Sequence, residues 1–198
     1  MAVTTRVAVL TLITAAAVGT GTWATLRYLS RPGRGPASTS AQAPSAPTKQ
    51  AESARRIKAT LFYVSPDGLH LAASERDVPF ADGAPEQAKR IVEALLEPPP
   101  DGLASAIPPG AALRGLFVGE HGDAYVDFTG ALRTNHPGGS VNEILTVYAI
   151  VSALTVNLPA VTTVQILIDG REVDTLAGHV DLRRPLPHAP QWTEKGTT

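Results

Sequence analysis

The sequence holds no cysteine. That excludes disulfides, zinc–thiolate sites, cysteine nucleophiles and lipid attachment through a Cys side chain. A chain without cysteine is compatible with an oxidising exterior but does not require one. An excess of charge is missing too: 17 Lys and Arg stand against 18 Asp and Glu, a net charge of -1. The basic residues are scattered apart from a cluster near the N-terminus. No basic stripe exists of the kind that binds nucleic acid, so nucleic-acid partners are not expected.

Catalytic signatures are equally scarce. There is no HExxH, no GxSxG elbow, no SxxK, no GxxxxGK[ST] and no GxGxxG. The histidines are His70, His121, His136, His179 and His188, and no two lie at helical i, i+4 spacing. Their places in turns, strands and the tail read as solvated positions, so no metal and no cofactor are expected.

What is present begins with an apolar run. Val7 to Leu26, VAVLTLITAAAVGTGTWATL, carries no charge and is long enough to cross a bilayer as a helix. Trp23 and Tyr28 sit where interfacial aromatics are found. Residues 1–29 therefore read as a transmembrane anchor. A cleaved signal peptide is the rival reading, with Thr22-Trp23-Ala24 as a small-x-small site. Arg27, Arg31 and Arg34 follow the run and only Arg6 and the amine precede it. That asymmetry favours a cytoplasmic C-terminal part.

Residues 30–54 are rich in Pro, Ala and Ser and have almost no large apolar side chain. Such a segment buries too little surface to offset its ordering entropy, and reads as a tether. Residues 185–198 read as a flexible tail, with Trp192 the one residue suited to docking back. The folded domain is then 55–184.

Within it, Ile57 to Ser65 and Leu69 to Val78 read as a hairpin across Pro66-Asp67-Gly68. Ala84 to Glu97 reads as a helix, with Pro85 in its first turn and Ala88, Ile91, Val92, Leu95 and Leu96 on one face. Leu113 to Gly119 and Ala124 to Thr129 form a second hairpin. Ser140 reads as the N-cap of a second helix reaching Asn157, with Glu143 at the capping-box spacing. That helix is apolar nearly all round and should be buried. Val161 to Ile168 pairs with Arg171 to Leu176 across Asp169-Gly170, a type I′ turn signal. The order ββ-α-ββ-α-ββ predicts an α+β two-layer sandwich, two helices on a mostly antiparallel or mixed sheet.

Asp169 ends an apolar run, where a catalytic acid could sit, but Asp-Gly between strands makes it a turn residue. Ser140 follows two glycines at a helix start, where N–H groups could hold an anion; an ordinary cap is the simpler role. Asp127 and Glu143 flank the loop TGALRTNHPGG and are the best pair for glycosidase-type acid/base work. Their simpler roles are a strand polar face and a capping-box acid. Asn135-His136 in that loop fits turn chemistry before Pro137. No set of titratable residues converges from several elements, so no catalytic site is assigned.

Several stretches occur in the order of a known family: ATLFYVSPDGLHLAASERDVP, AKRIVEALLEPPPDGLASAIPPGAAL, AYVDFTGAL, and GGSVNEILTVYAIVSALTVNLPAVTTVQILIDGREVDTLAGHVDLRRPL. The chain thereby resembles the GerMN family, the sporulation and spore germination domain, over about residues 57–185. It departs from the family pattern in having one such domain, in Glu97-Pro98 where Gly-Pro is usual, and in Ser152-Ala153-Leu154 where Asn-Thr-Leu is usual. The resemblance implies a bacterial domain without catalytic residues. It implies single-pass attachment to the inner (cytoplasmic) membrane with the domain outside, opposite to the arginine asymmetry. The partners it implies are the membrane, envelope proteins, further copies of the chain as an oligomer, and peptidoglycan. A cell-wall glycan-binding domain or hydrolase using Asp127 and Glu143 is the alternative.

Overall fold

The computed structural model describes residues 55–194. The anchor expected over 1–29 and the tether over 30–54 lie outside them.

β1 (Arg56–Val64) and β2 (Leu71–Pro79) form an antiparallel hairpin with unbroken register from Arg56↔Pro79 to Val64↔Leu71. The second strand starts two residues later than its apolar pattern suggests. Asp67 is the reason. Its Oδ1 accepts the Leu69 N–H at 2.8 Å and its Oδ2 lies 3.0 Å from His70 Nδ1. Leu69 and His70 are thereby held in the turn.

α1 (Ala84–Leu96) has Pro in its first turn and buries Gln87, Ala88, Ile91, Val92, Ala94 and Leu95. Gln87 ties it to the end of β2, accepting the Ala81 N–H at 2.8 Å and donating to the Pro79 carbonyl at 3.3 Å. Three prolines from Pro98 stop it, since none can donate a helical hydrogen bond.

β3 (Leu113–Val118) and β4 (Asp123–Phe128) pair antiparallel, with a bulge between Leu113 and Gly115. The short helix α2 (Ala131–Thr134), where the sequence suggests only loop, leads to α3 (Ser140–Asn157). β5 (Thr163–Ile168) then pairs with β4 in parallel. β6 (Arg171–Glu172) and β7 (Leu186–Pro187) both pair antiparallel with β5. The strands thus divide into the β1–β2 ribbon and a mixed five-stranded sheet. α1 and α3 pack on each other, and α3 contacts both β1 and β5. This explains why α3 is apolar on every side. By length and composition alone it could cross a membrane. Here Leu145, Val147, Ile150, Val151 and Leu154 are all buried within one hydrophobic core.

Three further sequence expectations need correction. The partner of β5 was expected to run from Arg171 to Leu176, but pairing ends at Glu172. At the end of that stretch the Leu176 N–H turns to Glu143 instead, as described below. The tail expected to be flexible from Pro185 contributes β7 and a 3₁₀ turn at Pro190–Trp192. Trp192 does dock back, stacked on Tyr148 of α3 at 6.2 Å between ring centroids. Finally, Ser140 is not a cap. Gly139 holds the N-cap position with φ 84, a conformation open to glycine and strained for other residues, and no side chain caps the helix. Ser140→Ala should therefore cost less than about 0.5 kcal/mol, where loss of a working cap costs about 1 kcal/mol. Urea denaturation of the two proteins would show it; a full cap-sized loss would contradict the geometry.

Candidate functional site

The acids singled out by the sequence fall into two separate structural clusters. The first lies at the end of the five-stranded sheet. Asp169 and Gly170 both adopt positive φ, 50° and 76°, as a type I′ turn demands. Asp127 on β4 reaches across to this turn: its Oδ1 accepts the Gly170 N–H at 2.7 Å and its Oδ2 accepts from Arg114 Nη1 at 3.1 Å. Asp169 Oδ1 accepts the Gly130 N–H at 3.2 Å, and lies 3.8 Å from the same Arg114 nitrogen. The carboxylates thus pin the β5–β6 turn and the entry to α2 onto β4. Arg114 is 43 % exposed, so its ion pairs add little to stability.

The second cluster is built on Glu143, which is fully buried in the first turn of α3. Oε1 accepts the N–H groups of Leu176 at 2.8 Å and Ala177 at 2.9 Å. Oε2 accepts the His179 N–H at 2.8 Å and lies 3.1 Å from His179 Nδ1. Burial by itself pushes the carboxyl pKa up. The N–H groups of Ala177, His179, Val180 and Leu176 outweigh it and hold the group below the ordinary glutamate range. Glu143 is therefore an anion enclosed by backbone donors, and it folds the 176–180 segment over α3. An enclosed, ligated carboxylate has no free face for a substrate or a water. Asp127 and Glu143 have no hydrogen-bond partner in common.

Ser65, Asp67 and His70 make a third constellation, one not anticipated from the sequence. Its order is wrong for nucleophilic catalysis, where histidine must lie between serine and acid. Here Asp67 lies between the two, bonded to the Ser65 hydroxyl and to His70 Nδ1. The Ser65 hydroxyl, the Leu69 N–H and His70 hold the Asp67 carboxyl well below its usual range. This is turn geometry. Among the described residues, no group of His, Asp and Glu is placed to hold a metal ion. His136 Nε2 lies 3.2 Å from the Thr146 hydroxyl, and its Nδ1 accepts the Gly138 N–H at 3.0 Å. The pair Asn135-His136 is thus fastened inside the loop before α3, with Asn135 Nδ2 donating to the Pro109 carbonyl at 2.8 Å.

A groove of about 480 Å³ runs between the C-terminal end of α1 and the start of α3. Pro98, Pro99, Pro108, Pro109 and Leu145 give it apolar walls. Glu97 is its one ionisable lining side chain, and it pairs with Arg76 at 3.2 Å. The groove offers no nucleophile with a base beside it. Arg114 and Asn157, both important to the geometry, carried no motif. Asn157 at the end of a helix before Leu-Pro reads as a terminus signal, and only the fold shows that it faces β1.

The sequence profile of the Germane family, described as sporulation and spore germination, matches residues 60–174. Among solved structures, the first GerMN domain of the sporulation protein GerM from Bacillus subtilis is similar, with 17% identity and a TM-score of 0.52. That match covers 67% of this chain and 94% of that one. The tandem GerMN domains of the same protein match at 16% identity and a TM-score of 0.50, over 68% of this chain and 45% of theirs. A provisionally described lipoprotein from Clostridium perfringens matches at 20% identity and a TM-score of 0.47, over 67% and 87% of the two chains. At these identities the likeness is one of fold. No curated protein matches significantly. With its profile match spanning more than half of the chain, the protein belongs to the Germane family of sporulation and spore germination domains.

Proposed function

We propose that this chain is a non-enzymatic, membrane-tethered module of the bacterial envelope that works through contacts with other proteins or the cell wall. One observation carries the proposal. Both acids that the sequence offers as a catalytic pair are committed to the chain's own backbone, Glu143 through three N–H groups and Asp127 through the Gly170 N–H. Family membership and the charge-free run from Val7 to Leu26 support the same reading. In this account the run anchors the chain in the cytoplasmic membrane, residues 30–54 span the space beside it, and the domain stands outside.

The test has two parts. Alkaline phosphatase fused after Thr198 should be active, and a cytoplasmic reporter fused at the same point should be silent. The reverse result places the domain inside and ends the envelope proposal. In cells with the intact chain, cross-linking of membranes should recover a partner or a multimer. Recovery of monomer alone counts against a contact role. The hydrolase alternative is checked by Asp127→Asn, which retains an acceptor for the Gly170 N–H. A wall-degrading activity lost in that variant would restore the alternative.

A further inference from the structure

His136 sits in a chain of hydrogen bonds whose direction is fixed by counting protons. The Gly138 N–H can only donate, and His136 Nδ1 receives it at 3.0 Å. Nδ1 therefore carries no proton, and the neutral ring must carry its proton on Nε2. That nitrogen lies 3.2 Å from the Thr146 hydroxyl. The hydroxyl gives its one proton to the buried Ala106 carbonyl at 2.6 Å, so toward Nε2 it is the acceptor. One protonation state of one ring thus links the loop before α3, α3 itself and the loop at Ala106.

These three stretches are walls of the groove between α1 and α3. Ala106, Asn135, Pro137, Asn142 and Thr146 all line it. The loop enters α3 through Gly138 and Gly139, at φ 79 and 84, a region that glycine occupies without strain. The other ties of the loop do not titrate: Asn135 Nδ2 donates to the Pro109 carbonyl and Asn142 Nδ2 to the Gly138 carbonyl, each at 2.8 Å.

The stretches that meet the ring carry few charges. Residues 104–110 have no ionisable side chain. α2 has Arg133, which is exposed and opposes a second positive charge. α3 has Tyr148, stacked on Trp192, and Glu143, whose oxygens are taken by residues 176, 177 and 179, with the His179 ring against one of them. Elsewhere on the groove Glu97 is paired with Arg76. Among the described residues the hydrogen-bond partners of the His136 ring are Thr146 and Gly138, and neither is a carboxylate.

We propose that His136 is a pH-sensitive latch on this groove. A proton taken up at Nδ1 sets one N–H against another, that of Gly138. Donor then faces donor, so the ring must leave Gly138, and turning away also withdraws Nε2 from Thr146. The loop is released to turn about its two glycines, and the groove wall at Pro137 loosens. The latch belongs to the fold itself, so it stands or falls independently of the envelope proposal.

The test uses the full-length chain in detergent, labelled with nitrogen-15. At about pH 7.5, above the ordinary histidine value, the ring spectrum should show His136 with its proton on Nε2. Hydrogen exchange, corrected for the intrinsic effect of pH, should find the Gly138 amide about tenfold less protected at about pH 5 than at about pH 7.5. Amides of β4 and β5 should keep their protection. Glu143 stays ionised across this interval, because its carboxyl lies below the ordinary glutamate range, so its clamp is not what changes. His136→Asn supplies an acceptor that does not titrate, since an Asn oxygen can receive the N–H two residues on. In that variant Gly138 protection should not depend on pH. A proton on Nδ1 at neutral pH, constant Gly138 protection in wild type, or the same loss in His136→Asn overturns the latch. Should the variant fail to fold, the wild-type ring spectrum and exchange decide between them.

Discussion

Glu143→Ala should lower the unfolding free energy by about 3 kcal/mol, because it strands one buried and two part-buried N–H groups at once. The donors of Leu176, Ala177 and His179 have no other acceptor in reach of the geometry described, and the segment they belong to covers the start of α3. Loss of the anion should release that segment first, so its amide hydrogens should exchange faster than those of β4 and β5. Glu143→Gln should fall between the two proteins, since it keeps one acceptor oxygen but turns an NH₂ group toward other donors. The same carboxylate makes stability depend on pH. Its pKa in the folded state lies below the ordinary range, so its contribution is fully present above the unfolded glutamate pKa of about 4.3. The contribution is lost as pH falls from there toward the lower, folded-state value. Urea midpoints of wild type should drop across that acid window, and those of Glu143→Gln should drop less. Equal acid slopes in the two proteins would show that Glu143 is not the titrating clamp.

Asn157→Ala should cost about 2 kcal/mol by separating the β1–β2 ribbon from the central helix. Asn157 ends α3 and behaves toward β1 as a strand residue would. Its Oδ1 accepts the Thr60 N–H at 2.8 Å, and its Nδ2 donates to the Thr60 carbonyl at 2.7 Å and to Ala153 at 2.7 Å. One amide thus satisfies both backbone groups of a residue on the strand edge. Truncation leaves both unmet in a half-buried place. Asn157→Asp is the instructive companion: it keeps the acceptor but sets a carboxylate oxygen against the Thr60 and Ala153 carbonyls, so it should lose at least as much at neutral pH. Denaturant titration followed by far-ultraviolet circular dichroism checks both values. Near-wild-type stability for Asn157→Ala would mean that the ribbon is held by apolar packing alone.

Local chemistry was legible wherever neighbours in sequence decide the outcome. Asp169-Gly170 demanded a turn with two positive φ angles, and formed it. Pro85 and the 88, 91, 92, 95 spacing specified α1 and its buried face. The all-round apolar character of α3 specified its burial. Ordered fragments of sequence carried the family. The errors arose where a short-range rule competed with a distant partner. Ser140 and Glu143 have capping-box spacing, but Glu143 faces a segment more than 30 residues away. The strand expected to lead into that segment ends after two residues.

By itself the sequence determined the longer secondary elements, β1 to β5 with α1 and α3, the absence of thiol chemistry, the apolar N-terminal run and the class of fold. These depend on composition and on periods of two or 3.6 residues, which short-range sterics and burial enforce. Tertiary structure alone decided that the strands divide between two sheets, that the tail packs onto α3, and that Asp127 and Glu143 serve the backbone. It also decided that His136, Thr146 and Ala106 form one hydrogen-bonded chain, because its links run between three separate stretches. A carboxylate's role follows from which N–H groups surround it, and the chain brings those groups together only on folding.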